Sequence, residues 1–331
     1  MQKMTLIAAA GAAALFTTVP AHAEAATSGK SCGDVSIAQM NWAAAAVTTN
    51  IAKFLLEQGY GCKVSLVKSD TVPAITSVAE NGSPDVVTNL WLNSAGDAYK
   101  KLEKTGKIKR VAKVLTPGGV EGWWIPTYLA KKHPELTTIK GVMAHPEWVG
   151  GSFNNCPDGW GCRIVNDNLI KALDLKKSGI TVFNHGSGQT LATSIASAYA
   201  DKKPWFGYYW GPTVVMGKYK MTRVKLGDVN MKVFAKLQNK DTQNPKVSDF
   251  PAAVDLTAVT SKFAKTHPAE TEFFSKMTFK TSTMSTLLAW QDKNKSSAQE
   301  TAVHFITTYP EVWKNWLSAP AQKKLAKLTK G

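Results

Sequence analysis

Asp34-Val-Ser-Ile37, Lys63-Val-Ser-Leu-Val67 and Asp85-Val-Val-Thr-Asn-Leu-Trp91 are the three short apolar runs that decide the fold. Each is strand-sized and rich in β-branched residues, and a helix-like stretch separates each from the next. Met40 to Gly59 is the first such stretch, stopped by Gly59, and Thr71 to Asn81 is the second, ending at Asn81-Gly82. This β-α-β-α-β alternation predicts an α/β fold with a parallel sheet covered by helices. Ligands of such sheets sit at the carboxyl ends of the strands. Trp91 falls at one of these ends, and Trp42 lies just after another.

Beyond Gly118-Gly119, a hinge candidate, a second unit begins. Glu121 to Pro126 is strand-like, Leu169 to Leu173 helical, Thr181-Val-Phe183 a strand, Gln189 to Ala200 a helix, and Trp205-Phe-Gly-Tyr-Tyr-Trp210 another strand. A loop-rich region from Gly227 to Pro251 leads into a helical C-terminal third. At 331 residues the chain exceeds the usual size of one domain, so two domains are expected.

The N-terminus speaks for export. Lys3 supplies a positive charge, Met4 to Val19 are almost wholly apolar, and Ala21-His22-Ala23 has the small-x-small pattern of a cleavage site. The expectation is a signal peptide over residues 1–23, cleaved after Ala23, since the apolar run is short for a membrane span. In an oxidising compartment the four cysteines can form two disulfides, with three connectivities open. Proximity favours Cys156 with Cys162. Cys32 and Cys62 remain, each opening a strand-like run, and two adjacent strands would bring them together. Metal binding is disfavoured because the spacing is not C-x-x-C and no histidine is near. The net charge of +16 comes from scattered lysines, so a solvated basic surface is expected rather than nucleic-acid binding.

Cys156-Pro-Asp-Gly-Trp-Gly-Cys162 contains one Pro and two Gly between its cysteines, which argues against regular helix or strand. Closed by a disulfide, it would push Trp160 out at the tip of a rigid loop, an aromatic face set before any ligand arrives. Of the eleven tryptophans, Trp42, Trp91, Trp123 or Trp124, Trp160 and Trp210 share a setting at strand ends or in loops beside small or polar residues. Trp205, Trp313 and Trp316 read as packing residues. Five π faces at the ligand end of a sheet make a box suited to a cation without N–H donors, such as a methylated ammonium. Five unrelated packing tryptophans are the alternative.

These residues carry a resemblance. Asn155-Cys-Pro-Asp-Gly-Trp-Gly-Cys162 is similar to the disulfide loop that presents a cage tryptophan in the substrate-binding proteins of ABC importers for glycine betaine, proline betaine and choline. Asn89-Leu-Trp91 and Tyr208-Tyr-Trp210-Gly-Pro212 resemble the other two cage segments, and Ser31-Cys-Gly33 with Asn41-Trp42 looks closer to the choline-binding branch. Trp123 sits where that branch uses a tyrosine. The resemblance implies a two-lobed, hinge-closing periplasmic binding protein fold (type II). Residues 24–118 and 225–331 would form one lobe and 119–224 the other, with ligand in the cleft and an inner-membrane ABC permease as partner. It implies a monomer and no cofactor.

Two departures bear on the ligand. The histidine that betaine binders place after the tryptophan equivalent to Trp91 is missing from Leu92-Asn-Ser-Ala95, and the aspartate that choline binders place after the Trp42 equivalent is missing from Ala43 to Ala46. Glu121 stands instead before Gly122-Trp123-Trp124. A carboxylate in a dry site repels a betaine carboxylate and accepts a charge-assisted hydrogen bond from a hydroxyl or a protonated amine-oxide oxygen. The segment also resembles the trimethylamine N-oxide binders of the superfamily, which pair a tryptophan box with a glutamate. Trimethylamine N-oxide is therefore the first expectation, choline the second and glycine betaine the third; a surface or hinge carboxylate paired with lysine is the plain alternative for Glu121. No nucleophile elbow, H-E-x-x-H or P-loop occurs, so an enzyme is not expected. Asn184-His185-Gly-Ser-Gly188 lacks the P-loop lysine and reads as a helix cap through Ser187.

Overall fold

The computed structural model describes residues 32–326. The expected signal peptide and its cleavage site lie outside the described residues. The first half of the chain runs β1 (Gly33–Met40), α1 (Ala43–Leu55), β2 (Cys62–Ser69), α2 (Thr71–Asn81), β3 (Val86–Trp91), α3 (Leu92–Lys104), β4 (Ile108–Lys113) and the two-residue β5 (Leu115–Thr116). It continues with β6 (Val120–Pro126), α4 (Thr127–Lys132), α5 (Ile139–Ala144), β7 (Ser152–Asn155), α6 (Gly161–Leu173), β8 (Thr181–Asn184), α7 (Gly188–Asp201), β9 (Gly207–Gly211), α8 (Val214–Lys218) and β10 (Met221–Val224). After a largely irregular stretch that holds the helix Met231–Leu237 come β11 (Asp255–Thr260), β12 (Phe279–Lys280) and a run of C-terminal helices that begins, past β12, with Thr281–Asn294.

Two five-stranded sheets organise these elements, in the orders β2-β1-β3-β11-β4 and β10-β6-β9-β7-β8. They are the centres of two α/β lobes. β1, β2 and β3 are parallel, as the alternation predicts, but the first sheet is mixed because β11 pairs antiparallel with both β3 and β4. A strand arriving that late in the chain leaves no local periodicity by which to place it. In the second sheet β6 and β9 are antiparallel neighbours, with Glu121 opposite Trp210 and Trp123 opposite Tyr208. Most strand and helix expectations hold within a few residues, but the helix expected over Leu169 to Leu173 starts at Gly161; Ser187 caps α7 through a capping box with Thr190.

The chain passes between the sheets at Gly118-Gly119 and returns before β11, and the two crossings are bridged by Gly119 and Ala253, whose amides each donate to the other's carbonyl (3.1 and 3.3 Å). A Cβ on Gly119 would lie 2.4 Å from the rim of the Trp91 indole and 2.5 Å from the Gly211 carbonyl, so only glycine fits beneath that ring. Both expected disulfides are formed, Cys32–Cys62 at the edge pair β1–β2 and Cys156–Cys162 between the end of β7 and the first turn of α6. Among the described residues no helix is long and apolar enough to cross a membrane.

Candidate functional site

The carboxyl ends of β1, β2 and β3 each feed into a helix, and each junction delivers side chains to a single small cavity. Trp42 is the N-cap residue of α1, Thr71 opens α2, and Trp91 ends β3 with Ser94 in the first turn of α3. Glu121, Tyr208 and Trp210 reach the cavity from β6 and β9 of the second sheet, and Trp160, Gly161 and Cys162 from the start of α6. Both lobes therefore contribute.

The aromatic wall is built edge to face. Trp160 meets Trp42 with ring centroids 5.4 Å apart at 72°, and Trp210 at 5.0 Å and 83°. Edge-to-face pairs suit the opposite signs of ring edge and face and leave π faces free. Trp160 is held rather than exposed: its indole N–H donates to Asn41 Oδ1 at 2.7 Å and the residue is only 4% accessible. The expectation of a ring pushed out at a loop tip is corrected accordingly. The disulfide segment is also partly helical, since α6 begins at Gly161, where a Cβ would sit 2.4 Å from the Ser94 carbonyl oxygen; glycine allows α6 to approach α3. Asp70, beside this loop, is pushed above the usual carboxylate range by burial, against a smaller opposing contribution from the Trp160 indole.

Glu121 is the acid of the cavity and is buried, not a surface carboxylate paired with lysine. Its Oε1 accepts from Ser94 Oγ and Tyr208 Oη, each at 2.7 Å, while its Oε2 has no protein partner. Burial raises its pKa; the hydroxyl donors, Asn93 and the more distant Arg223 oppose that rise. Tyr208 is pushed well up, first by burial and then by the neighbouring Glu121 charge. No lysine, arginine or histidine lines the cavity. Arg223 is engaged elsewhere, its Nη2 donating to Asp249 Oδ1 at 2.6 Å.

Five of the six expected ligand contacts thus converge: Trp42, Trp91, Glu121, Trp160 and Trp210. Trp123 does not, and neither does Trp124. Residues two apart on a strand share a face, so Trp123 points the same way as Glu121, but roughly 7 Å further along β6. That step carries it beneath α6, where it is fully buried against Phe153 and Phe206 with its indole N–H on Asn166 Oδ1. Trp124 faces the other side and donates to the Tyr209 carbonyl. The sequence reading missed Ser94 and Tyr208, the two donors that hold Glu121. Tyr208 was open to detection, because it lies two residues before Trp210 on the same strand face.

A larger groove lies beyond Trp42 and Trp210, between α1, α7, α8 and the helix Thr281–Asn294, and an ion pair joins Lys218 to Asp292 there. Its lining lacks Trp91, Trp160 and the buried Glu121, so the smaller cavity, which gathers four indoles and that acid, is the candidate site.

An aromatic cage lined by one acid, assembled from the facing ends of two α/β lobes, fits a ligand-capturing protein of the two-lobed type II periplasmic binding fold. The chain belongs to the family of substrate-binding domains of ABC-type glycine betaine transport systems, whose model matches residues 33–308. It is a substrate-binding protein of that family, whose members are transport proteins rather than enzymes. It is 23% identical over 259 residues to the glycine betaine/proline betaine-binding periplasmic protein of Salmonella typhimurium, covering 73% of this chain and 76% of that one. Among solved structures it is similar to an ABC-transporter choline-binding protein in complex with choline (TM-score 0.73, 18% identity, 90% of this chain and 98% of the other). It is similar also to the glycine betaine/L-proline-binding protein of Borrelia burgdorferi (TM-score 0.72, 16% identity, 88% and 99%). At these identities the structural likeness is one of fold.

Proposed function

We propose that this protein captures a methylated amine, trimethylamine N-oxide in first place, in the cage of Trp42, Trp91, Trp160 and Trp210 and passes it to an inner-membrane ABC permease. The methylated nitrogen lies among the indole faces, and Glu121 meets the ligand oxygen through a shared proton. Residues 24–118 with 225–331, and 119–224, act as two lobes that close on the ligand, and the protein works in the periplasm as a monomer after export. Support for export comes from the sequence of residues 1–23 and from the periplasmic relative in Salmonella typhimurium.

The observation that carries the ligand choice is the free Oε2 of Glu121 in a cavity whose lining contains no cationic side chain. A buried carboxylate is costly without a positive partner. The methylated ammonium supplies that charge, and an oxygen bearing or taking a proton supplies the hydrogen bond. Choline meets both requirements and stands second. A betaine reading has one observation in its favour: the first-turn amides of α6 at Gly161 and Cys162 border the cavity, and helix N-termini attract anionic oxygens. Glu121 opposes that reading by like-charge repulsion. Calorimetric titration against trimethylamine N-oxide, choline and glycine betaine decides: tightest binding of trimethylamine N-oxide is expected, and tightest binding of glycine betaine overturns the assignment.

A further inference from the structure

Beside the cage, outside its lining, is a second acid that sequence reading gave no reason to select. Asp255, the first residue of β11, lies opposite Trp91 in the antiparallel register and is fully buried. Trp91 lines the cavity, and residues directly opposite in an antiparallel pair share a face, so Asp255 lies on the same face of the first sheet as that ring. Of the four carboxyl oxygens of Glu121 and Asp255, three have no protein partner: Glu121 Oε2 and both oxygens of Asp255. A buried carboxyl with too few donors to stabilise its charge holds a proton instead.

The surroundings decide which. Glu121 has hydroxyl donors from Ser94 on α3 and Tyr208 on β9, with Asn93 and, further off, Arg223 on β10 also favouring its charge. Asp255 has no donor; Trp91 opposite it on β3 offers a ring, and the neighbouring Lys113 on β4 points to solvent. From this geometry we infer that Asp255 is a buried neutral acid that leaves the cavity with a single carboxylate charge, on Glu121, and so fixes its preference for a ligand head carrying one positive charge. Burial and the nearby Glu121 both push Asp255 well above the ordinary carboxylate range, in keeping with this assignment.

The consequence for proton balance rests on the proposed ligand class. Choline arrives as a cation and binds without a proton. Trimethylamine N-oxide arrives electrically neutral, so its oxygen and Glu121 together gain one proton from solvent, while Asp255 keeps its own.

Infrared spectroscopy of the ligand-free protein at neutral pH tests the inference without any ligand. A protonated-carboxyl band is expected that shifts on carbon-13 labelling of aspartate and not of glutamate, disappears in Asp255→Asn and persists in Glu121→Gln. The labelling assigns the band in the wild-type protein even if the variant fails to fold. No such band, or one that follows glutamate, overturns the inference. A second arm measures choline affinity at neutral pH: Asp255→Asn, a mimic of the neutral acid, should bind within about twofold of wild type, whereas a loss of about tenfold or more would show that an ionised Asp255 had been serving the cation. If the aspartate band is present and trimethylamine N-oxide does not bind, the ligand assignment falls and the neutral Asp255 stands.

Discussion

Trp160→Ala removes the ring on which the cage turns, and the structure sets the size of the effect. The substitution deletes one cation–π face, worth about 0.5–2 kcal/mol. It also deletes two edge-to-face pairs, to Trp42 and Trp210, each worth about 0.5–1.5 kcal/mol beyond area burial. The Trp42 pair joins a residue following β1 of one sheet to a residue following β7 of the other, so it contributes to the closed arrangement and hence to affinity. The Trp210 pair lies within one lobe and counts mainly toward local order. A loss of about 2–3 kcal/mol, roughly 30- to 150-fold in Kd, is expected. Trp123→Phe is the control, since Trp123 packs in the core and touches no part of the cavity. It should cost stability, partly by leaving Asn166 Oδ1 without its indole donor, while affinity per folded molecule stays within about threefold. Calorimetry for affinity and urea unfolding for stability separate the two quantities. An affinity loss for Trp123→Phe equal to that of Trp160→Ala would refute the placement of these two rings on opposite sides of the site's floor.

Tyr208→Phe and Ser94→Ala each remove one donor from Glu121 Oε1 and should weaken binding of a cationic ligand about tenfold, because a hydrogen bond to a charged group contributes about 1.5–3 kcal/mol; titration with choline measures this. Replacing Cys156 and Cys162 together by serine should weaken binding through a loosened Trp160 mount while the circular dichroism of both sheets is kept. Asp255 sets a pH dependence of stability whose sign follows from its raised folded pKa. Its contribution is fully present below the unfolded-chain value near 3.9 and is lost as pH rises through the folded value, at about 1.4 kcal/mol per pH unit between them. The stability difference between wild type and Asp255→Asn should therefore move against the wild type as pH is raised from acid to neutral, and a difference flat in pH would contradict this.

Much of the fold was legible because it is local. The alternation of Val-rich runs with helical spacing placed β1, α1, β2, α2 and β3, and four of the tryptophans at strand ends or in loops line the candidate cavity. What was not legible came from contacts distant in sequence. β11 inserts between β3 and β4 from more than a hundred residues downstream, and with it comes Asp255. A strand period of two gives the face of Trp123 but not its depth, so a core ring under α6 looked like a cage ring. Ser94 and Tyr208 are unremarkable in sequence and matter only because α3 and β9 bring their hydroxyls to one carboxylate oxygen. The disulfide loop was legible, but the burial of Trp160 between Trp42 and Trp210 was not, because it depends on a partner from the other lobe.

The central claim is that Glu121, within an aromatic cage, chooses a cationic head with a proton-bearing oxygen over a betaine. The ratio of affinities for trimethylamine N-oxide and glycine betaine, measured in the wild type and in Glu121→Gln, tests it most directly. The wild type should favour trimethylamine N-oxide, and removal of the charge should shrink that preference by about tenfold or more, because like-charge repulsion of the betaine carboxylate is relieved. A ratio unchanged by the substitution would contradict the account.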